Sequence, residues 1–434
     1  MPALVGLVDK SVVLRDDADP SRYRFLAALR EFGADRLALT SAPESQVDRL
    51  AARCVTMARQ FDEGFRDGAR LRGRADGSAG GTEANQVTTF RSVHADYENI
   101  RAVLCYTLDA RQPSDAPPDA LAVRRRLGAA LATRLCGYWQ ISGLLDEGRQ
   151  WLTTVAELFT EPTQERVWAL CARGRLATFH GDLDAAIADL TESIGLAEAA
   201  GRGAELAAAR GYLYLNLALA LAGRHAEALA AAEVARARLL ARGDKTGVAV
   251  LEAQLAYLCQ LTGNVEEAVE HGDRGLALLG KPASGWADGE RWVGGYLYLA
   301  SGIALAKSPG RERASAMALR RALTAKHELG DVVGTAYAVE ALAWVAAQGE
   351  RYERAAWLIA AADQLWNRVG HRPSGVALLE DSRQRTIANA RRALGELRFA
   401  AAYARGTGLE PDAVVREVGI EVGGVPGPRV GDVA

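Results

Sequence analysis

The chain has 434 residues, with 52 Lys plus Arg against 54 Asp plus Glu and a formal net charge of −2, so no global field draws it to nucleic acid or to an anionic membrane. Its 49% apolar content rests on Ala and Leu, with only 6% aromatic residues. These are the strongest helix formers, which predicts an almost wholly α-helical protein with a sizeable core. The five cysteines, Cys54, Cys105, Cys136, Cys171 and Cys259, are odd in number, far apart and free of metal spacing, which suits buried thiols in a reducing cytoplasm. The start at Met1 carries no basic leader, and charge or Gly interrupts every apolar run before 18 residues, so neither a signal peptide nor a membrane span is expected.

In chain order, residues 4–14 read as a short strand, Asp16 to Pro20 as a turn, Arg22 to Phe25 as a second strand and Leu26 to Leu37 as a helix. A helix follows Ser41-Ala42-Pro43-Glu44, which has capping-box spacing, and runs to about Phe61. Asp67 to Gln86 reads as a mobile linker. Its Arg70, Arg72 and Arg74 lack the interleaved aromatics that stack bases, and are expected to be solvated. Beyond an entry segment of helices over 41–162, a ruler appears. Gly211-Tyr212-Leu213-Tyr214-Leu215 returns 84 residues later as Gly295-Tyr296-Leu297-Tyr298-Leu299. Turns at Gly181, Gly223, Gly263, Lys307 to Gly310 and Gly349 divide 163–370 into helical hairpins. These are 163–179 with 182–199, 204–222 with 225–241, 246–262 with 265–279, 288–307 with 311–328, and 331–348 with 351–368. A fixed period of 40 to 43 marks a stacked hairpin array, an all-α superhelix similar to tetratricopeptide repeats but with longer helices. Helices over 377–394, 397–404 and 412–418 within 371–419 are expected to cap the stack, and 420–434 to be a disordered tail.

Three runs carry a family resemblance: Leu7-Val8-Asp9-Lys10-Ser11 with Arg22-Tyr23-Arg24-Phe25-Leu26; Val93 to Leu104; and Tyr138-Trp139 with Glu147-Gly148-Arg149-Gln150-Trp151-Leu152. They resemble the closing part of the winged helix and the tetratricopeptide-like tail of bacterial STAND-type transcriptional regulators of the LuxR and AfsR types. The resemblance implies a winged-helix remnant over 1–40 and a tail that senses an effector. It also implies an ATPase ahead and a DNA-reading helix-turn-helix behind, neither of which is recognisable in this sequence, so a stripped remnant and a fragment both stay open.

Local motifs yield little chemistry. Gly275 to Lys281 fits GxxxxGK, but Pro282 stands where Ser or Thr would bind magnesium, and the glycines end a helix instead of following a strand. The six histidines form no metal pattern, and neither a cofactor nor a metal is expected. Arg124 to Arg126 and Arg320-Arg321 point in different directions on their helices, so no direct nucleic-acid contact is expected. Trp139, Trp151, Trp168, Trp357 and Trp366 read as packing residues.

The first helix of each hairpin should line the concave wall. Nine residues before the turns stand Tyr214, Gln254 and Glu340, and the 84-residue offset adds Tyr298. Arg210, Tyr257, Tyr337 and Trp344 lie three or four residues away on the same faces. This wall is expected to recognise a small-molecule effector or a protein or peptide partner. An enzyme using Arg210, Tyr214, Tyr257, Tyr298 and Glu340 is the alternative, as is a purely structural wall. Tyr212 and Tyr214 lie about 200° apart on a helix, so one of them must pack.

Overall fold

The computed structural model describes residues 2–15, 23–25, 29, 32–33, 36, 43–66, 86–108, 118–201, 203–280, 290–308, 310–369 and 377–420. The chain forms two compact units, Met1–Cys54 and Val55–Ala434. In the first, helix α1 (Pro2–Asp9) precedes an antiparallel hairpin of β1 (Val13–Arg15) and β2 (Tyr23–Phe25), with Leu14 opposite Arg24. The expected strand over residues 4–14 is therefore mostly helix, because Leu4, Leu7 and Val8 stand at helical spacing and pairing begins only at Val13. Most of the Leu26 to Leu37 helix, the Asp67 to Gln86 linker except Gln86 itself, and 421–434 lie outside the described residues.

Helix α2 (Pro43–Arg66) bridges the boundary in sequence. The second unit continues with α3 (Gln86–Ala95), α4 (Tyr97–Leu108), α5 (Pro118–Arg134), α6 (Cys136–Ser142) and α7 (Leu145–Leu158). Five antiparallel hairpins then stack: α8 (Gln164–His180) with α9 (Leu183–Ala200), α10 (Glu205–Leu221) with α11 (His225–Ala241), α12 (Lys245–Leu261) with α13 (Val265–Leu278), α14 (Trp292–Leu305) with α15 (Glu312–Leu329), and α16 (Val332–Gln348) with α17 (Tyr352–Val369). Helices α18 (Ala377–Gly406) and α19 (Pro411–Ile420) follow, α18 breaking at Gly395, where φ is 73°. The second unit is an all-α, tetratricopeptide-like superhelix. Among the described residues no helix is long and apolar enough to cross a membrane.

The turns explain the ruler. Gly181 takes φ 94°, a left-handed value that glycine adopts freely, and its N–H closes α8 on Ala177 O at 3.0 Å. At the last turn Glu350, with φ 56°, takes the left-handed position in place of Gly349. Small residues let the paired helices approach: Ala186, Ala228 and Ala268 are fully buried. Thr163, Asp244 and Asp331 cap α8, α12 and α16 by accepting backbone N–H bonds from Arg166, Gly247 and Gly334. Four of the cysteines are buried as expected, but Cys105 is exposed. The tryptophans pack: Trp139 is fully buried and donates to Tyr97 Oη at 2.7 Å.

Buried charge pins the α12/α13 hairpin. Glu252 on α12 accepts from Arg236, lies 2.6 Å from His271 Nδ1 and meets Arg274 at 3.4 Å. Burial opposes the charge of Glu252, but the bonds from His271 and Arg236 win and hold its carboxyl down at about 2. A depressed folded value means stability present above the ordinary 4.5 and lost as pH falls toward 2. Glu252→Gln is expected to cost about 2–3 kcal/mol at neutral pH and to flatten the acid limb of a denaturation series between pH 4.5 and 2. An unchanged acid limb would show that this network does not set acid stability.

The stack also closes on its own entry helices. Helix α6 packs against α16, and α3 against α15. Fully buried Gln86, the first residue of α3, accepts from the backbone N–H groups of Arg291 at 2.8 Å and Trp292 at 3.1 Å, and donates to Glu290 at 2.8 Å. It thereby caps the N-terminus of α14 from another helix. Phe61 and Phe65, at the end of α2, meet Tyr138 and Trp292 edge-on at centroid distances of 6.3 and 5.9 Å.

Candidate functional site

The first helices of successive hairpins, α8, α10, α12, α14 and α16, turn their inner faces toward one cavity of about 170 Å³, with Gln140 of α6 completing the wall. Tyr214, Tyr257, Trp292, Tyr296 and Tyr337 supply aromatic surface, and Leu217, Val250, Leu299 and Ile303 supply aliphatic surface. None of the lining residues is an acid, a histidine or a cysteine. A second space of about 50 Å³ lies alongside and shares Arg175, Tyr214, Val250 and Trp292 with the first.

Arg175 forms the partition. Its Nε and Nη2 donate to Gln140 Oε1 at 2.8 and 2.5 Å, and its Nη1 donates to Tyr214 Oη at 2.9 Å. Its guanidinium carbon stands 4.9 Å from the Tyr214 ring centroid and 5.1 Å from that of Trp292. Among the described residues no carboxylate bonds to it, and Asp62 acts on it only from farther off. Burial pushes the Tyr257 phenol far up, and also that of Tyr296, so both stay protonated at neutral pH. Among the described residues the Tyr257 hydroxyl and the Trp292 indole N–H have no hydrogen-bond partner.

Of the residues expected on the wall, Tyr214, Gln254, Tyr257 and Tyr337 line the cavity. The other four are elsewhere. Arg210 pairs with Asp244 at 2.6 Å and lines only the smaller space. Tyr298 turns out to Arg321, which donates to its hydroxyl at 3.4 Å. Glu340 is buried away from the cavity, accepting from Trp366 Nε1 at 2.9 Å and facing Arg383 at 3.7 Å, so it ties α16 to α17 and α18. Trp344 packs in the core shared by α16 and α17.

The two copies of the five-letter repeat therefore face differently. In the first, Tyr214 lines the cavity and Tyr212 lies outside under Arg238; in the second, Tyr296 lines it and Tyr298 lies outside under Arg321. The count from the turn glycine differs between the two copies, Tyr214 standing nine residues before Gly223 and Tyr298 twelve before Gly310. Counting six residues back would have found Arg175 before Gly181 beside Tyr257 before Gly263. No sequence signal pointed to Gln140 or Trp292, which the closure brings in.

No family model matches the chain, and no curated protein matches it. Solved structures do. One is the Rap conjugation gene regulator of the plasmid pLS20 in complex with the Phr* peptide, at 11% identity and a TM-score of 0.44, covering 79% of this chain and 97% of that one. Another is a circular tandem repeat protein with novel repeat topology, at 13% identity and a TM-score of 0.21, covering 87% and 92%. Similarity at this level carries no function across, and the cavity is interpreted on its own chemistry.

Away from the cavity, Cys259, Glu267 and His271 bring a thiol, a carboxylate and an imidazole within 4.8 Å of one another. His271 is already bonded to Glu252, and burial pushes the Cys259 thiol up to about 11. A protonated thiol and an engaged imidazole are poor metal ligands at neutral pH.

Proposed function

We propose that the chain is a non-catalytic sensor that holds a small-molecule effector inside its superhelix. The observation that carries this reading is the 170 Å³ apolar cavity walled by five successive inner helices, with Gln140 of α6 on one side. A cavity of about 150 Å³ accepts benzene, so the space suits one ring with a small polar group and not a folded partner. The enzyme reading loses support because the wall carries no carboxylate, histidine or cysteine, the phenols of Tyr257 and Tyr296 stay protonated, and Glu340 is committed elsewhere. Each wall helix belongs to a different hairpin, so an occupant favours the closed arrangement of the stack and shifts its population. In line with the resemblance to the tail of STAND regulators, that shift would be read by a partner in transcriptional regulation, in the cytoplasm.

A thermal-shift screen with small apolar ligands tests it. A ligand at a hundred times its Kd should stabilise the protein by about 2.7 kcal/mol. Ala253→Phe, which fills the cavity from α12, should abolish the shift, and Glu340→Ala should leave the binding itself intact. Stabilisation that survives Ala253→Phe would place the ligand elsewhere and sink the reading.

A further inference from the structure

Resting on that reading of the cavity, we propose that the smaller space beside it is an anion subsite, which takes the carboxylate of a ligand whose apolar body fills the larger one. Three guanidinium groups line the smaller space, those of Arg66, Arg175 and Arg210. Two already have carboxylates: Arg66 meets Asp62 at 2.8 Å and Arg210 meets Asp244 at 2.6 Å. The third, Arg175, bonds to the amide oxygen of Gln140 and the hydroxyl of Tyr214, and Asp62, which also lines the space, acts on it only from beyond bonding distance, so three cations face two carboxylates. One positive charge is in excess among buried groups, where an unmatched charge is costly and an arriving anion is correspondingly favoured.

The thiols do not supply the missing charge. Burial pushes Cys136 up and Cys171 up to about 12, so both stay neutral.

The hydrogen-bond inventory points the same way. Arginine carries five N–H donors, and among the described residues the bonds to Gln140 and Tyr214 leave one on each Nη of Arg175 without an acceptor. Arg210 is 6% exposed, yet its Nε–H has no acceptor among the described residues. Trp292, 8% exposed and lining both spaces, has an indole N–H in the same condition. The surplus consists of donors on three side chains around one small space, and burial of unmatched donors is unfavourable unless a ligand answers them. The space of about 50 Å³ has room for a few heavy atoms, which suits a carboxylate. A single negative charge also matches the single unpaired cation, whereas a phosphate dianion would overshoot it. Arg175 sits at the junction, so the acid group and the ring of one ligand can occupy both spaces at once.

The test compares benzoate and phenylacetate with benzamide and phenylacetamide, by calorimetry and by quenching of tryptophan emission. The acids should bind at least about tenfold more tightly than the amides, the difference expected for a charge-assisted bond. Arg175→Gln should remove that advantage, so that acid and amide bind the variant with equal affinity, with circular dichroism confirming the fold. Equal affinity for acid and amide, with both lost in Ala253→Phe, would overturn the anion subsite and leave the cavity standing. No binding of any of the four would overturn both. The acid-to-amide comparison on the unaltered protein decides the matter even if the Arg175 variant does not fold.

Discussion

Asp331→Ala is expected to destabilise the protein by about 3–5 kcal/mol, because it strands the ammonium of Lys326 in the core. Both residues are fully buried, and Lys326 Nζ lies 2.9 Å from Asp331 Oδ2, donates to Trp292 O at 2.9 Å and stands 3.0 Å from the Tyr296 ring centroid. The pair thus braces from behind two residues that wall the cavity. Burial pushes the Lys326 ammonium down to about 8, against the pull of Asp331. The unfolded chain keeps that proton to near the ordinary 10.5, so between pH 8 and 10.5 the unfolded state binds more protons and this lysine's contribution to stability rises with pH. Urea denaturation across pH 7–10 should show the rise in the wild type, and the double variant Lys326→Met/Asp331→Asn should lack it. The double variant should also recover most of the loss, since removing both charges leaves neither one stranded. Wild-type stability in Asp331→Ala would mean that Lys326 reaches solvent.

Gln86→Ala is expected to loosen the closure of the stack. It strands the N–H groups of Arg291 and Trp292 and removes a donor from Glu290, at ~1–3 kcal/mol for each buried group left unsatisfied. The loss should appear locally. Amide hydrogen exchange should accelerate over the first turn of α14 while α10 and α12 keep their protection. Trp292 moves with that turn, so ligand affinity should fall as well. Exchange unchanged at Arg291 and Trp292 would show that the cap holds without Gln86.

The superhelix was legible because it rests on local chemistry. Ala-rich and Leu-rich runs propagate helix, Gly181, Gly223 and Gly263 stop it in the left-handed region, and Ala186, Ala228 and Ala268 let the return helix approach. The inner wall was legible only in part, and for a definable reason. Tyr214, Gln254 and Tyr257 sit on hairpins whose turns keep register, so counting back from glycine found their faces. Tyr298 was placed by the 84-residue offset alone, and the structure turns that copy so that Tyr296 and not Tyr298 lines the cavity.

Glu340 shows the other kind of failure. Its helical position resembles that of Gln254, but α16 is the last of the stacked inner helices and is covered by α17 and α18, so its carboxylate meets Trp366 and Arg383 instead of the cavity. Nothing in the residues around Glu340 marks the stack as ending there.

By itself the sequence determined an all-α hairpin array, the places of its turns and four of the residues that line its interior, because these depend on backbone preferences and on spacing within one helix. Only the tertiary structure decided that α6 meets the far end of the stack, that Arg175 bonds to no carboxylate among the described residues and that Gln140, Trp292 and Tyr296 stand with it. Those facts arise from helices more than a hundred residues apart in sequence meeting across the stack, as α6 meets α16. Helical periodicity orders neighbours along one chain segment, and it holds no information about which distant segment will supply the opposite wall.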